Sequence, residues 1–371
     1  MLFTLQSQAV TRLIPAEPQI AATAYLVMDA DTGKIIAAKN ENEQFAPASL
    51  TKMMTAYILE YELNKGNVGE DDLVLVSEKA WRTQGSRMFI REGTQVRLGD
   101  LMKGIIIQSG NDASVAAAEH IAGSEAAFAD LMNQHSRLLG MKNTHFMNAT
   151  GLPAKEHYSS AYDLAILAKA IIQDFPQNYP IYSEKYFTYN KIRQPNRNKL
   201  LWRDKTVDGL KTGYTEAAGY CLVASAKRDG MRLITVVLGT KNVEARARES
   251  QKLLSYAFRY YRTHKLYERN VVLNTTKVWS GMSDQLRLGI DETLSVTIPR
   301  GQADKLQAIM DVNRVIKAPI EKGDTLGQVR VSLDGDVVKE IPLVALDAIP
   351  EAGFIKRIWH AILLFFTSLI G

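Results

Sequence analysis

Strand-forming runs stand at both ends of one long segment of this chain, and helix-forming runs fill the space between them. Residues 24–28 and 34–39 flank Asp31-Thr32-Gly33 and predict a hairpin. A second hairpin is predicted over 219–239, turning at Arg228-Asp229-Gly230. Between them, apolar residues recur with a helical period over 100–107, 125–139 and 162–173, and a last helix follows over 244–260. Strands from both ends must pair while the helical middle packs against them. The expected fold is α+β, an antiparallel sheet flanked by helices.

From about residue 263 helical periodicity gives way to alternation. Leu286, Leu288 and Ile290, then Leu294, Val296 and Ile298, then Val329, Val331 and Leu333 each mark one face of a strand. Turn signals fall at Ser280-Gly281, Pro299-Arg300-Gly301, Gly323-Asp324 and Asp334-Gly335. A small all-β domain is expected over 263–350, after a main domain over 20–262. Residues 351–371 then place Phe354, Ile358, Ile362, Phe365 and Leu369 on one helical face, with Lys356, Arg357 and His360 on another side. A spanning helix needs about 20 apolar residues. This amphipathic helix is expected to lie in a membrane surface, with Trp359 among the head groups. Residues 1–19 read as an arm in which Ser7-Gln8-Ala9 follows a short apolar run, as at the end of a signal peptide whose leader is mostly absent from this chain.

Three polar motifs carry the chemistry, in the order Ser49-Leu50-Thr51-Lys52, Ser109-Gly110-Asn111 and Lys211-Thr212-Gly213. Ser49 stands at a predicted helix start, in N-cap position after Pro47. A spacing of three puts Ser49 and Lys52 on one face, where a neutral amine can take the hydroxyl proton. Burial or a second cation would lower the lysine pKa enough for that role. Ser109 and Asn111 lie in a short loop between two helical segments and can project into a cleft, Asn111 toward a substrate amide and Ser109 as a proton relay. Lys211 and Thr212 open a predicted strand and suit a carboxylate, and Gly213 leaves room for a ligand backbone at the strand edge.

On these motifs and their surroundings, Pro47–Thr55, Gln108–Ala113 and Val207–Gly213, the chain resembles the low-molecular-mass penicillin-binding proteins. These are serine D-alanyl-D-alanine carboxypeptidases of the penicillin-binding protein 5/6 type. Asn196-Arg197-Asn198 and Arg246-Ala247-Arg248-Glu249-Ser250 match further runs of that family. The resemblance implies acyl transfer, in which Ser49 attacks the carbonyl between two D-alanines and Lys52 serves as base. The N–H groups of Ser49 and Tyr214 would form the oxyanion hole, and Ser109 would aid the leaving amine. Arg197 and Arg246 would hold the terminal carboxylate. β-Lactams would imitate the dipeptide and acylate Ser49. The implied place is the periplasmic face of the bacterial cytoplasmic membrane, trimming peptidoglycan pentapeptides. Relatives often carry His where this chain has Tyr214, which puts a side-chain role in deacylation in doubt.

Three rival readings share the machinery. A β-lactamase would need a Glu to activate water. Glu60-Tyr61-Glu62-Leu63-Asn64 fits the pattern E-x-x-L-N, but it precedes the second motif rather than following it. An endopeptidase or transpeptidase would use the same acyl-enzyme. A non-catalytic wall-binding protein would tolerate loss of the motifs, all of which are intact. A net charge of +5 suits an anionic partner, and no basic run interleaved with aromatics suggests nucleic acid. The six histidines have no metal-ligand spacing, so neither a metal nor another cofactor is expected. Cys221 is alone and sits in an apolar strand, which excludes an intrachain disulfide and marks it as a buried structural thiol.

Overall fold

The computed structural model describes residues 14–370. The expected cleavage site at Ser7-Gln8-Ala9 and the side chain of Leu369 lie outside the described residues. The chain divides into two compact units, one over Pro15–Arg259 and the other from Tyr260 onward.

In the first unit β1 (Ala24–Asp29) and β2 (Ile35–Lys39) form the expected hairpin. Its turn is held by Asp29, whose Oδ1 accepts from the N–H groups of Asp31 and Thr32 at 3.0 and 2.8 Å. Strands β3 (Val207–Thr215), β4 (Gly219–Arg228) and β5 (Met231–Thr240) complete an antiparallel sheet in the order β2-β1-β5-β4-β3. Asp229 and Gly230, at φ +47° and +84°, make the tight β4–β5 turn that the sequence anticipates. Val27 pairs with Thr235 across β1 and β5, so the first and last strand segments meet at the sheet centre.

The helical middle packs onto this sheet. Helices α1 (Lys52–Lys65), α2 (Asn111–Ala122), α3 (Glu125–Leu138) and α4 (Ala161–Asp174) surround one core, with α4 against β1 and β5. Every residue of α1 from Lys52 to Glu60 is buried. That explains why α1 shows no apolar stripe, since a helix enclosed on all sides has no solvent face to mark. Helix α5 (Val243–Tyr260) ends the unit. The Leu98–Lys103 helix widens into a π-type turn, Gly104–Gln108, where a regular helix to 107 is expected from the sequence. A hairpin absent from the sequence reading pairs Tyr186–Tyr189 with Ile192–Pro195.

The second unit is the all-β domain. Strands β6 (Tyr261–Tyr267) and β9 (Leu294–Pro299) pair with each other. Strands β7 (Asn274–Lys277), β8 (Gln285–Gly289), β10 (Leu306–Val312), β11 (Thr325–Leu333) and β12 (Asp336–Ala345) form a sheet in the order β7-β8-β12-β11-β10. Leu286, Leu288, Ile290, Leu294, Val296, Ile298, Val329 and Val331 are all buried in its core, as the alternation requires, and Leu333 is partly buried against it.

Helix α6 (Phe354–Ile370) follows the β-domain. Its polar side rests on protein. His360 Nδ1 accepts from the Ser280 N–H at 2.8 Å, and its ring meets Trp279 edge to face with centroids 5.5 Å apart. Lys356 pairs with Asp284 at 2.8 Å and Arg357 with Glu351 at 2.6 Å. Its apolar side is exposed, with Phe354 77% exposed and Trp359 59%. Among the described residues no helix is long and apolar enough to cross a membrane.

Candidate active site

The Ser49 segment does not begin the helix as the sequence suggests. Ser49 lies in a separate 3₁₀ turn, Ala48–Thr51, and α1 starts only at Lys52 with no side-chain cap. The Ser49 hydroxyl is therefore not spent on capping. Ala48 at φ +47° turns the chain sharply just before it. The turn packs on β3 and β4. A Cβ on Gly213 would meet Pro47 O at 3.2 Å and Ala48 Cβ at 3.3 Å. The space at Gly213 thus belongs to the Ser49 turn rather than to a ligand backbone. The third motif lies inside β3, an edge strand of the sheet, rather than opening the strand after it.

Lys52 is 1% exposed. Its Nζ lies 3.4 Å from Ser49 Oγ and donates to Asn111 Oδ1 at 2.6 Å and to the Thr150 carbonyl. Burial first, then the Arg197 charge, brings its pKa down to about 7, against smaller opposite effects of Asp112 and Glu125. A neutral amine has two N–H bonds and one lone pair. Asn111 and Thr150 take the two hydrogens, so the lone pair is left for the Ser49 proton.

Two acceptors of Lys52 are themselves held. Asn111 Nδ2 donates to Gln84 O at 2.5 Å and its N–H to Ser86 O at 2.7 Å. Gly85 must be glycine here, since a Cβ would lie 2.7 Å from Asn111 Nδ2 at φ +94°. Asp112, next along α2, accepts from the N–H groups of Met88, Phe89 and Ile90 and fixes the same loop. Asn111 opens helix α2 rather than standing in the loop. Thr150 is set by Asn148, whose Oδ1 accepts from Thr150 N, Thr150 Oγ1 and Gly151 N at 2.8–3.1 Å.

Behind the Ser49 turn stands His157. The Met147 N–H donates to its Nδ1 at 2.9 Å, so Nε2 carries the proton and donates to Thr51 Oγ1 at 2.8 Å. Burial, then the charges of His145 and Lys52, push its pKa down to about 4 and keep it neutral. Asn148, Thr150, Gly151 and His157 escape the sequence reading. Their only signal is the Asn-x-Thr-Gly run, which reads as a turn.

Ser109 sits at φ +66° at the end of the π-type turn. Lys211 Nζ donates to Ser109 Oγ at 2.8 Å and to Thr212 O at 3.1 Å. Burial, then the charges of Lys52, Arg197 and Arg246, hold the Lys211 pKa well below its ordinary value. Arg246 Nη1 donates to the carbonyls of Gly213 and Cys221 at 3.0 and 3.4 Å, tying α5 to β3 and β4. The exposed Tyr214 ring tilts onto Tyr220 with centroids 4.3 Å apart.

Together these elements line a cleft of about 690 Å³. Its wall includes Ser49, Ser109, Asn111, Arg197, Thr212 and Arg246. Gly213 and Tyr214 also line it, with Lys52 and Lys211 buried just beneath. The cleft brings all ten sequence-expected residues to one place. Among the described residues no Asp or Glu lines it, and Arg197, Lys199 and Arg246 do, so an anionic group is electrostatically matched there. Glu60 bonds instead to the Tyr182 hydroxyl, on a face of α1 outside the cleft. Cys221 is buried, and burial raises its thiol pKa to about 11, so it stays protonated. No His, Cys, Asp and Glu cluster able to hold a metal occurs among the described residues.

Residues 11–242 match the family described as D-alanyl-D-alanine carboxypeptidase, and residues 261–351 match the C-terminal domain of penicillin-binding protein 5. The D-alanyl-D-alanine carboxypeptidase DacC of Escherichia coli is 43% identical over 362 residues, 95% of this chain and 90% of that protein. Penicillin-binding protein 5 of Haemophilus influenzae superposes with a TM-score of 0.87 at 41% identity, covering 91% of this chain and 100% of that one. Penicillin-binding protein D2 of Listeria monocytogenes, solved in its ampicillin-bound form, superposes with a TM-score of 0.60 at 29% identity, covering 64% and 98%.

Proposed function

The chain belongs to the D-alanyl-D-alanine carboxypeptidase family and is a serine-type carboxypeptidase, and from that premise we propose how its residues divide the reaction. Ser49 Oγ attacks the carbonyl of the penultimate D-alanine while the Lys52 lone pair takes its proton. The N–H groups of Ser49 and Tyr214 stabilise the oxyanion that forms. The proton returns to the leaving D-alanine amine through Ser109, whose hydroxyl is bonded to Lys211. Arg197 and Thr212 hold the substrate carboxylate. Arg246 sets the β3–β4 carbonyls and adds positive charge beside them. Water then hydrolyses the Ser49 ester. A β-lactam presents the same carboxylate and a strained amide, so it acylates Ser49.

The substrate is the pentapeptide stem of peptidoglycan, met at the periplasmic face of the cytoplasmic membrane. The exposed Phe354, Ile358, Trp359 and Ile362 of α6 support attachment to that surface, since its polar face is already engaged on the β-domain. Tyr214 leaves the backbone donor in place, while its exposed ring tilts onto Tyr220.

The observation that carries this reading is the buried Lys52 amine, with a pKa near 7, next to Ser49 Oγ. Intact mass after a pulse of penicillin tests it. The expected result is a long-lived adduct mapping to Ser49, with D-alanine release from a pentapeptide abolished in Ser49→Gly. Rapid destruction of penicillin by unmodified protein would make it a β-lactamase instead.

A further inference from the structure

The rim of the cleft continues into an exposed aromatic surface that acyl transfer does not use. In the short hairpin, Tyr186 pairs directly with Pro195, a residue of the cleft wall. The chain then runs through the wall residues Asn196, Arg197 and Lys199 into the helix Leu200–Arg203. Trp202 therefore stands about one helical turn beyond the cleft wall. Tyr186 and Trp202 meet edge to face with centroids 5.9 Å apart, and each is 43% exposed. The Arg193 guanidinium lies 3.8 Å over the Tyr186 ring, and the Lys185 amine 5.9 Å from the Trp202 ring centre.

This ledge is firmly joined to the cleft. The Asn196 N–H donates to Lys185 O at 2.8 Å, and its Nδ2 donates to Glu184 O at 3.1 Å. The hairpin already buries its other face through Phe187 and Gln194, so the outer rings are not needed to hold it down. The nearby Lys199 and Arg203 share Glu244, whereas Lys185 and Arg193 have no ion-pair partner among the described residues. Two half-exposed rings beside two cations that have no ion-pair partner among the described residues match a polymer with apolar sugar faces and carboxylates.

We propose that this ledge binds the glycan strand of the polymeric substrate. The Trp202 and Tyr186 pair packs on the C–H face of a sugar ring, and Lys185 and Arg193 meet carboxylates of its peptide stems. The proposal rests on the carboxypeptidase reading, which supplies the polymer. A five-residue stem extends at most about 17 Å, so the sugar that carries a stem held at Ser49 stands within that distance of the nucleophile.

The test compares D-alanine release from a short acyl-D-Ala-D-Ala peptide with release from soluble glycan chains bearing pentapeptides. For Trp202→Ala and Tyr186→Ala the expected result on glycan is a fall in kcat/KM of about 3–10-fold, the size of one lost aromatic contact. The fall should lie in KM, with kcat and the short-peptide kinetics unchanged, and Trp202→Phe should recover most of it. Unchanged glycan kinetics, or an equal fall on both substrates, would overturn the proposal. Binding is read separately by co-sedimentation of Ser49→Gly protein with insoluble peptidoglycan. Weaker sedimentation of the Ser49→Gly, Trp202→Ala double variant is expected. Equal sedimentation would overturn the ledge, whatever becomes of the catalytic reading.

Discussion

A lysine kept at 1% exposure, with no ion pair among the described residues, costs stability as a cation and is more readily neutral, as the proposed base must be. The pH dependence follows from the sign of its shift. Lys52 is depressed to about 7, so its neutral form grows as pH rises through that value. Acylation of Ser49 by a β-lactam should gain about tenfold per pH unit below 7 and level off above it. Stopped-flow acylation from pH 5 to 9 measures this; a flat profile would mean that Lys52 is not the base. Glu60 runs the opposite way. It is buried, its Oε2 has no hydrogen-bond partner among the described residues, and burial raises its pKa to about 8. A carboxyl with a folded pKa above its unfolded value lends stability that is complete below about 4.5 and lost as pH rises through 8. Glu60→Gln should therefore raise Tm more at pH 9 than at pH 5, and thermal melts at the two values would show it. An equal shift at both would mean that Glu60 is ionised throughout. At this scale the sequence discloses partners that are side chains. Spacing alone links Ser49 to Lys52, but the second acceptor of Lys52 is the Thr150 carbonyl, and a carbonyl has no residue type to read.

Glycines at positive φ stand both at the Ser49 turn and at a helix end, and the reason differs from site to site. Gly151 stands at φ +81°, and a Cβ there would lie 1.8 Å from Ala48 O and 2.9 Å from Thr51 Oγ1. Gly123 has the similar φ of +75° at the end of α2, yet nothing lies within 4 Å of its missing Cβ. Gly123→Ala should cost only the backbone strain, about 1 kcal/mol. Gly151→Ala adds a collision with backbone that cannot move without shifting Ser49, so about 3 kcal/mol or more is expected, with β-lactam acylation slowed at least tenfold. Denaturant unfolding and acylation rates on the pair separate strain from collision. Equal costs would mean that the Asn148–Gly151 loop moves freely. The hairpins were legible because Asp31-Thr32-Gly33 and Arg228-Asp229-Gly230 punctuate alternating runs. The interior position of Lys211-Thr212-Gly213 in β3 was not, because polar motif residues break the apolar pattern of their own strand. The break between the Ser49 turn and α1 was equally hidden, since Ser after Pro reads as an ordinary cap.

All cleft residues fall within Pro15–Arg259, and the second unit contributes a β-domain core and α6. Alternation made that core readable from the sequence, whereas the seat of α6 depends on His360, which a periodicity argument assigns only to a polar face. With Lys356, Arg357 and His360 engaged, the helix cannot turn its apolar side inward without breaking two ion pairs and the Ser280 hydrogen bond. Phe354, Ile358, Trp359, Ile362 and Phe365 therefore remain outward, an apolar stripe of the kind that settles into a lipid interface. Deleting residues 354–371 should move the protein from the membrane pellet to the supernatant, with the rate of β-lactam acylation unchanged. The double substitution Ile358→Asp, Ile362→Asp should do the same while keeping the helix and its polar seat. Flotation with vesicles of phosphatidylethanolamine and phosphatidylglycerol measures both. If the charged variant still floats with the vesicles, attachment is not made by this stripe, and the ion pairs of α6 would then be serving the β-domain alone.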